Sequence, residues 1–385
     1  MKITELNNKK VILAPYNDLS IELRNKLPEG ICVTGFVDNF KSEAGVFSSK
    51  NLPEYEAVII HSPNHWKEIA TVFDTCKVYL YNMLGHELIS YDEYIKFIEE
   101  EHLFDVLLLP SNKSNIYDLS IIARELKELD ISSAIIDIAS NTNKNFREGL
   151  EENSDIQTVH KDQVYNTKRK AILSSTDWQI AFCHPFLKKA RENGELTIGI
   201  VDGIEDFEDA DYDYERHAYQ TVEYVLLMGK DDQNYLKNKI EKTSIVGFPK
   251  MWSLVNERIS LPQIDRVMIN VNFTYGRFEE VREEWVSDVI FACESSKLPF
   301  IISQHHADNG SFPAELVSTK NVYDTINETT IVVSRFSTVI LESLAMGRQV
   351  IYFNPHGETV KLYADPKGAY LIAKTIPELI HCLKI

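Results

Sequence analysis

Between Val332 and Pro355 the chain reads VVSRFSTVILESLAMGRQVIYFNP, its densest run of side chains suited to chemistry. A strand pattern leads into Ser334, Arg335, Ser337 and Thr338, and a helical pattern follows at once. Ser337 stands where an N-cap belongs, since a short hydroxyl side chain satisfies a first-turn amide. First-turn N–H groups, the hydroxyls and the Arg335 guanidinium together make a cradle for an anion. Glu342, about one turn further on, is spaced to accept hydrogen bonds from the ribose of a nucleotide whose phosphate rests at the helix start. Gly347 ends the helix, and the next strand delivers Asn354-Pro355-His356-Gly357 to another strand end. An ordinary capped helix in a parallel sheet would use some of the same residues. The combination of hydroxyls, arginine and carboxylate is what points to a nucleotide.

Other candidates also sit at strand ends. His305 and His306 follow the strand pattern over 300–304, where an imidazole can donate to a phosphate oxygen or carry a proton. The alternative is a plain surface-loop histidine. Asp308, three residues after His305, is a candidate for fixing its tautomer. Asp202-Gly203 closes the apolar run over 196–201, either as a carboxylate for proton transfer or as simple turn geometry, with Asp206 the second choice. Ser174-Ser175-Thr176-Asp177 closes the preceding strand. The acidic run EDFEDADYDYE over 205–215 fails as a calcium loop, because the sixth position is not glycine and Gln220 replaces the bidentate glutamate. It reads as a solvated loop, and no metal site is expected.

The elements that must position these residues alternate along the chain. Strand patterns fall at 10–16, 31–37, 57–61, 78–81, 104–110, 133–138, 171–174, 196–201, 224–228, 244–246, 267–273, 300–304, 331–333 and 350–353. Helical patterns lie at 91–101, 116–129, 186–192, 279–293, 338–346 and 377–383. Several strands are apolar without alternation, as expected when helices cover both faces of a parallel sheet. The class is therefore α/β, with doubly wound, Rossmann-like sheets. Three blocks are expected: an accessory block over 1–102, a middle block over 103–262 that ends in a linker over 251–262, and a last block over 263–385. Ligands in such folds bind in crevices at the carboxyl ends of the strands.

Composition narrows the partners. With 40 basic and 58 acidic side chains among 385 residues the formal charge is -18, which repels a polyanion, so no nucleic acid partner is expected. A small anion in its own pocket is not excluded. The five cysteines are scattered singly, with no CxxC pair, and read as reduced, buried thiols of a cytoplasmic protein. No apolar run has the length of a signal peptide or a membrane helix.

The segment Ser-x-x-Ser-Thr-x-x-x-Glu-x-Leu-x-x-Gly-x-x-Val, followed by Tyr-x-Asn-Pro, resembles the donor-binding segment of GT-B glycosyltransferases. It is closest to the branch with cytidine-activated donors: the CMP-Kdo-dependent (β-Kdo) transferases of bacterial capsule and O-antigen synthesis and, more distantly, the CDP-glycerol glycerophosphotransferases. Over 267–277, VMINVNFTYGR resembles the first strand and glycine-containing loop of the donor domain, which brings Tyr275 and Gly276 into the donor set with Asn354. Over 300–308, FIISQHHAD resembles the strand ending in a His-Pro-x-Asp-like element, with Ala307 in place of proline. The element VGFPK over 246–250 is similar to the Gly-x-Pro element that closes the first GT-B domain, and makes Lys250 an optional phosphate contact.

The resemblance covers 103 to the C-terminus. It implies an acceptor-side domain and a nucleotide-sugar donor domain, with metal-independent transfer and no cofactor. Ser334, Arg335, Ser337 and Thr338 would hold the phosphate, Glu342 the ribose and His305 the departing phosphate. Asp202, and after it Asp206, would face the acceptor as general base or nucleophile. The implied partners are a CMP-sugar donor, a glycan acceptor and other polysaccharide-assembly proteins at the inner membrane face. Two rivals remain open. One is transfer of a polyol phosphate from a CDP-polyol, against which the acidic charge argues. The other is a non-catalytic sugar-nucleotide-binding subunit, kept open by Ala307 and the extra first block. That block faintly resembles the small Rossmann-like domain fronting bacterial sugar acyltransferases. It lacks GxGxxG after its first strand, so NAD binding is not expected there; its His61-Ser62-Pro63-Asn64-His65 element reads as packing in preference to a ligand site.

Overall fold

A computed structural model describes residues 3–41, 43–62, 65–82, 87–140, 142–176, 183–201, 219, 221–236, 240, 242–256, 261–262, 264–274, 278–305, 307–358 and 368–385. The chain divides into two compact units, Met1–Ile172 and Leu173–Ile385.

In the first unit, β1 (Lys10–Ala14), β2 (Cys32–Val37), β3 (Val46–Phe47), β4 (Ala57–Ile60), β5 (Val78–Asn82) and β6 (Glu87–Ser90) form one sheet in the order β3-β2-β1-β4-β5-β6. All neighbours are parallel except β5 and β6. The order winds outward in both directions from β1, the doubly wound pattern. β4 (AVII) is buried along its whole length, which is why its run shows no alternation. Helices on this sheet carry sequence-encoded starts. Asn17 caps Asp18–Lys26 by accepting from the Ser20 amide, and Ser90 and Glu93 form a reciprocal capping box at the start of Tyr91–Glu99.

The same unit continues with a two-stranded ladder of β7 (His102–Leu103) and β11 (Thr167–Lys168). It also holds the parallel strands β8 (Val106–Leu109), β9 (Ser133–Asp137) and β10 (Thr158–His160), with β9 in the middle. The helix Lys113–Glu128, capped by Asn112, buries Ile116, Leu119 and Ile122. Side chains tie the helix Tyr91–Glu99 to the segment after β10: Gln163 Nε2 donates to the Phe97 carbonyl at 2.8 Å and Asn166 Nδ2 to that of Ile98 at 2.7 Å.

The division between units falls inside β12 (Ala171–Ser174). In the second unit β13 (Leu196–Ile200), β14 (Tyr224–Leu227) and β15 (Lys242–Ile245) are parallel neighbours. A five-stranded, all-parallel sheet follows: β16 (Val267–Val271), β17 (Phe300–Gln304), β18 (Ile331–Ser334), β19 (Gln349–Phe353) and β20 (Leu371–Ala373), in the order β17-β16-β18-β19-β20. β16 (VMINV) is buried throughout and packs with Trp285 and Val289 of the helix Arg282–Ser296. The order reverses between β16 and β18, so the switch point of this sheet lies between their carboxyl ends.

Two expectations are corrected here. The linker over 251–262 begins as helix, Pro249–Asn256, packed on the helix Val339–Ala345. Only three of the thiols are buried: Cys183, Cys293 and Cys382 are, whereas Cys32 and Cys76 are exposed, and all five are free. Among the described residues no helix is long and apolar enough to cross a membrane, and no metal-ligating cluster occurs.

Candidate functional site

The carboxyl edge of the five-stranded sheet gathers most of the sequence-expected donor residues. At the end of β18, Ser334 is fully buried. Its hydroxyl accepts from Asn270 Nδ2 of β16 at 2.9 Å and donates to the Arg335 carbonyl at 2.5 Å. That hydroxyl thus accepts across the two strands and donates locally to the next residue. Arg335 follows, 7 % exposed. Its Nη1 donates to the Asn272 carbonyl at 2.9 Å, across the switch point. Its guanidinium lies 4.8 Å from the Phe273 ring centre and 5.2 Å from that of Phe278, both within cation–π range.

The sequence expected a phosphate on this arginine, and the chain places a carboxylate there. Glu358 Oε1 accepts from Arg335 Nε at 3.1 Å and from Nη2 as well, and Glu358 Oε2 accepts the Phe336 N–H at 3.1 Å. The Tyr352 hydroxyl donates to the same oxygen at 3.2 Å. Burial and this carboxylate both push the Tyr352 phenol up. Asn354 holds Glu358 in place twice: its Nδ2 donates to the Glu358 carbonyl and its Oδ1 accepts the Glu358 N–H, each at 2.7 Å. The Arg335 and Glu358 side chains are 8 % and 12 % exposed, so the pair is nearly dry and charge-assisted. A small pocket opens among Arg335, Phe353, Asn354, His356 and Glu358.

The hydroxyls beyond Arg335 sit differently from the expected cap. Thr338 is the N-cap of Val339–Ala345, without a side-chain cap bond, while the Ser337 hydroxyl accepts from the Val339 amide at 3.3 Å. Gly347, at φ 75°, terminates this helix as expected. Glu342 is 3 % exposed. Burial raises its carboxyl above the usual range, opposed by the Lys250 charge and by a hydrogen bond from Tyr323. Lys250, the optional phosphate contact, is thus brought electrostatically to Glu342 by the packing of their two helices.

His305 follows β17, with its amide on the Val271 carbonyl at 2.9 Å. Its Nδ1 accepts the Ala307 N–H at 3.2 Å, so the neutral ring carries its proton on Nε2. Asp308 does not set this tautomer. Its carboxylate instead accepts the Phe273 N–H at 2.7 Å and the Gly310 N–H at 2.8 Å, with Arg282 Nε at 3.3 Å. Ala307, the departure from the resembled pattern, makes the His305 contact possible, because a proline there would have no N–H.

Asp202, Asp206, Tyr275, Gly276, His306 and the acidic run over 205–215 lie outside the described residues. The strand leading toward Asp202 is described: the Ile200 carbonyl at the end of β13 accepts the Tyr219 hydroxyl at 3.1 Å, which also donates to Ser175 at 3.2 Å. Sequence reasoning missed Glu358 and Asn270, and it had Tyr352 only as the tyrosine of the Tyr-x-Asn-Pro element, without its bond to Glu358. Glu358 stands four residues after Asn354, a spacing that closes an asparagine-bracketed loop and was its one available signal.

No protein-family model and no curated protein matches the sequence. Solved structures do match. A putative UDP-N-acetylglucosamine 2-epimerase from Listeria monocytogenes superposes with a TM-score of 0.53 at 12% identity, over 72% of this chain and 86% of that one. The UDP-GlcNAc 2-epimerase from Methanocaldococcus jannaschii gives 0.50 at 13% identity, over 74% and 92%. The fold is of the GT-B type. The wall teichoic acid polymerase TagF is also similar, at 0.47 and 10% identity, over 77% of this chain and 82% of that one. At these identities the likeness concerns the GT-B fold, with its Rossmann-like, doubly wound domains.

Proposed function

We propose that the protein is a GT-B glycosyltransferase that binds a nucleotide-activated donor at the carboxyl edge of the β16–β20 sheet. The observation that carries this reading is the anion-holding pair at the switch point. The Arg335 guanidinium and the Phe336 N–H converge on one carboxylate group, a stand-in for the charge and oxygen spacing of a phosphate. An incoming diester or diphosphate takes over these donors as Glu358 withdraws. Ser337 and Thr338 add hydroxyls beside them, and Glu342, with Tyr323, receives the ribose. His305 presents Nε2–H, the form that can donate to a departing phosphate oxygen.

For the donor, the Ser-x-x-Ser-Thr-x-x-x-Glu segment favours a CMP-activated acidic sugar, most specifically CMP-Kdo, transferred to a bacterial surface polysaccharide. Asp202 is then the group facing the acceptor hydroxyl, with Asp206 second. The proposed acceptor-side and donor domains are 103–262 and 263–385, with 1–102 as an accessory block. Incubation with CMP-Kdo, CDP-glycerol and UDP-GlcNAc, following release of the nucleotide product, tests the assignment. Turnover of CMP-Kdo supports it, turnover of CDP-glycerol alone moves the protein to polyol-phosphate transfer, and turnover of none of them removes the enzymatic reading in favour of a sugar-nucleotide-binding subunit.

A further inference from the structure

Arg335 and Asp308 are joined by a single peptide group. The Asn272–Phe273 peptide, just past β16, turns its carbonyl to Arg335 Nη1 at 2.9 Å and its N–H to Asp308 Oδ2 at 2.7 Å. The two charges therefore sit at opposite ends of one amide dipole, the carboxylate at its positive end and the guanidinium at its negative end. The Asp308 side chain is fully buried. Hydrogen bonds in series polarise one another in such a low-dielectric setting, so a carboxylate on the N–H makes the carbonyl a stronger acceptor for the guanidinium.

That carboxylate is itself held fast. Asp308 Oδ1 accepts the Gly310 N–H at 2.8 Å and Gln304 Nε2 at 3.3 Å, and it lies 3.3 Å from Arg282 Nε in an ion pair. Arg282 in turn donates from Nη2 to the Phe273 carbonyl at 3.2 Å. The ion pair thus grips Phe273 by both of its backbone polar groups. Gly310 lets the pair close: a Cβ there would come within 2.7 Å of Arg282 Cδ and 2.9 Å of Asp308 Oδ1, too near for a side chain to fit without moving them.

Phe273 carries this grip to the anion site. Its ring meets Trp285 edge-on at 5.7 Å and lies 4.8 Å from the Arg335 guanidinium. The second ring beside that guanidinium belongs to Phe278, whose φ of 56° is a left-handed backbone that bulky residues rarely adopt. Outliers of this kind persist where the surroundings over-determine them, and they cluster at ligand sites. We infer that Asp308 and Arg282 are positioning residues of the anion site, which fix the Arg335 guanidinium through the Asn272–Phe273 peptide and the Phe273 ring. Their role in nucleotide binding rests on the donor reading proposed above, whereas the placement of Arg335 does not.

The Arg335 Nε–H resonance of the full chain, assigned by its loss in Arg335→Lys, reports that placement without a ligand, because the ring currents of Phe273 and Phe278 act on it. Asp308→Asn keeps an acceptor for the Phe273 N–H and removes the charge. Gly310→Ala keeps every polar partner and wedges the ion pair apart. Both variants are expected to shift the Arg335 resonance and to weaken CMP binding, read by calorimetry, about ten-fold or more. Asp105→Asn, in the first unit, is expected to lower stability while leaving that resonance in place, which separates positioning from general loosening. An unmoved resonance in Asp308→Asn overturns the positioning role, and Gly310→Ala decides in its place if the first variant does not fold. Failure of both to fold, or CMP affinity equal to wild type in both, overturns it as well. If the resonance moves but the wild type binds no nucleotide, the positioning of Arg335 stands and the donor reading falls.

Discussion

Glu358 occupies the anion-binding groups at the end of β18, pairing with Arg335 while accepting the neighbouring Phe336 N–H. The carboxylate thus sits where the account places a donor phosphate, and the two compete for the same guanidinium. Removing its charge separates stability from binding. Glu358→Gln is expected to lower unfolding stability by about 3 kcal/mol, since it leaves a nearly buried guanidinium without its counter-charge, and to tighten CMP binding. Urea denaturation and calorimetry measure the two. Weaker CMP binding with unchanged stability would contradict the competition.

Glu342 makes a second separation. Its folded-state pKa is raised by burial, so its contribution to stability is fully present below the unfolded value of about 4.5 and is lost as pH rises through the folded pKa. Ionising this carboxyl within the fold is therefore a net cost. Glu342→Gln is expected to be as stable as the wild type or more so at pH 7, and to lose any such advantage toward pH 4. Its nucleotide affinity is expected to fall. Denaturation at several pH values checks the sign, and unchanged affinity would remove Glu342 from the ribose site.

How much of this was readable beforehand depended on burial. Strands such as VMINV and IVVS, covered on both faces, show as unbroken apolar runs, and the sequence places them to within a residue or two. β20, LIA, and β10, TVH, are three-residue strands at sheet edges, too short for a pattern. The helix Pro249–Asn256 passed for a linker because its stability comes from packing on Val339–Ala345, which no local signal records. At the site, Arg335 was legible from its place after a strand, but its partner was not: the Glu358 contact depends on Asn354 closing the loop between them. The His305 tautomer was equally hidden, since it is set by a backbone N–H that exists because residue 307 is alanine.

Asp105 offers a pH probe in the first unit. The Lys170 ammonium, with the Ser132 hydroxyl and N–H, holds its carboxyl down at about 2. A depressed carboxyl pKa contributes stability that is present above the unfolded value, about 3.9, and is lost as pH falls toward 2. Asp105→Asn is expected to destabilise the protein at neutral pH, with the difference from wild type vanishing near pH 2. Comparison of unfolding midpoints across that range is the check. An acid-independent difference would remove the ion pair as its cause.

The thiols divide by burial. Cys32 and Cys76 are exposed, and the Cys76 thiol donates to Asp74 at 2.9 Å, which pushes its pKa up. Cys293 is buried and pushed up to about 12. Thiolate, not thiol, is the reactive form. A disulfide reagent at pH 8 is therefore expected to modify Cys32 first, Cys76 more slowly, and the three buried thiols only after unfolding. Mass spectrometry of the labelled peptides reads the order. Early labelling of Cys293 would contradict the packing around β16.

The central claim is that the Arg335 edge of the β16–β20 sheet binds the phosphate of a cytidine-activated donor. Calorimetric titration of the full chain with CMP, CDP, UDP and GDP, repeated with Arg335→Lys, tests it most directly. The account predicts saturable binding with a preference for a cytidine nucleotide, weakened about ten-fold or more in the lysine variant, which cannot reproduce the forked contact. A preference for UDP or GDP would contradict the donor assignment, and no binding of any nucleotide would contradict the whole reading.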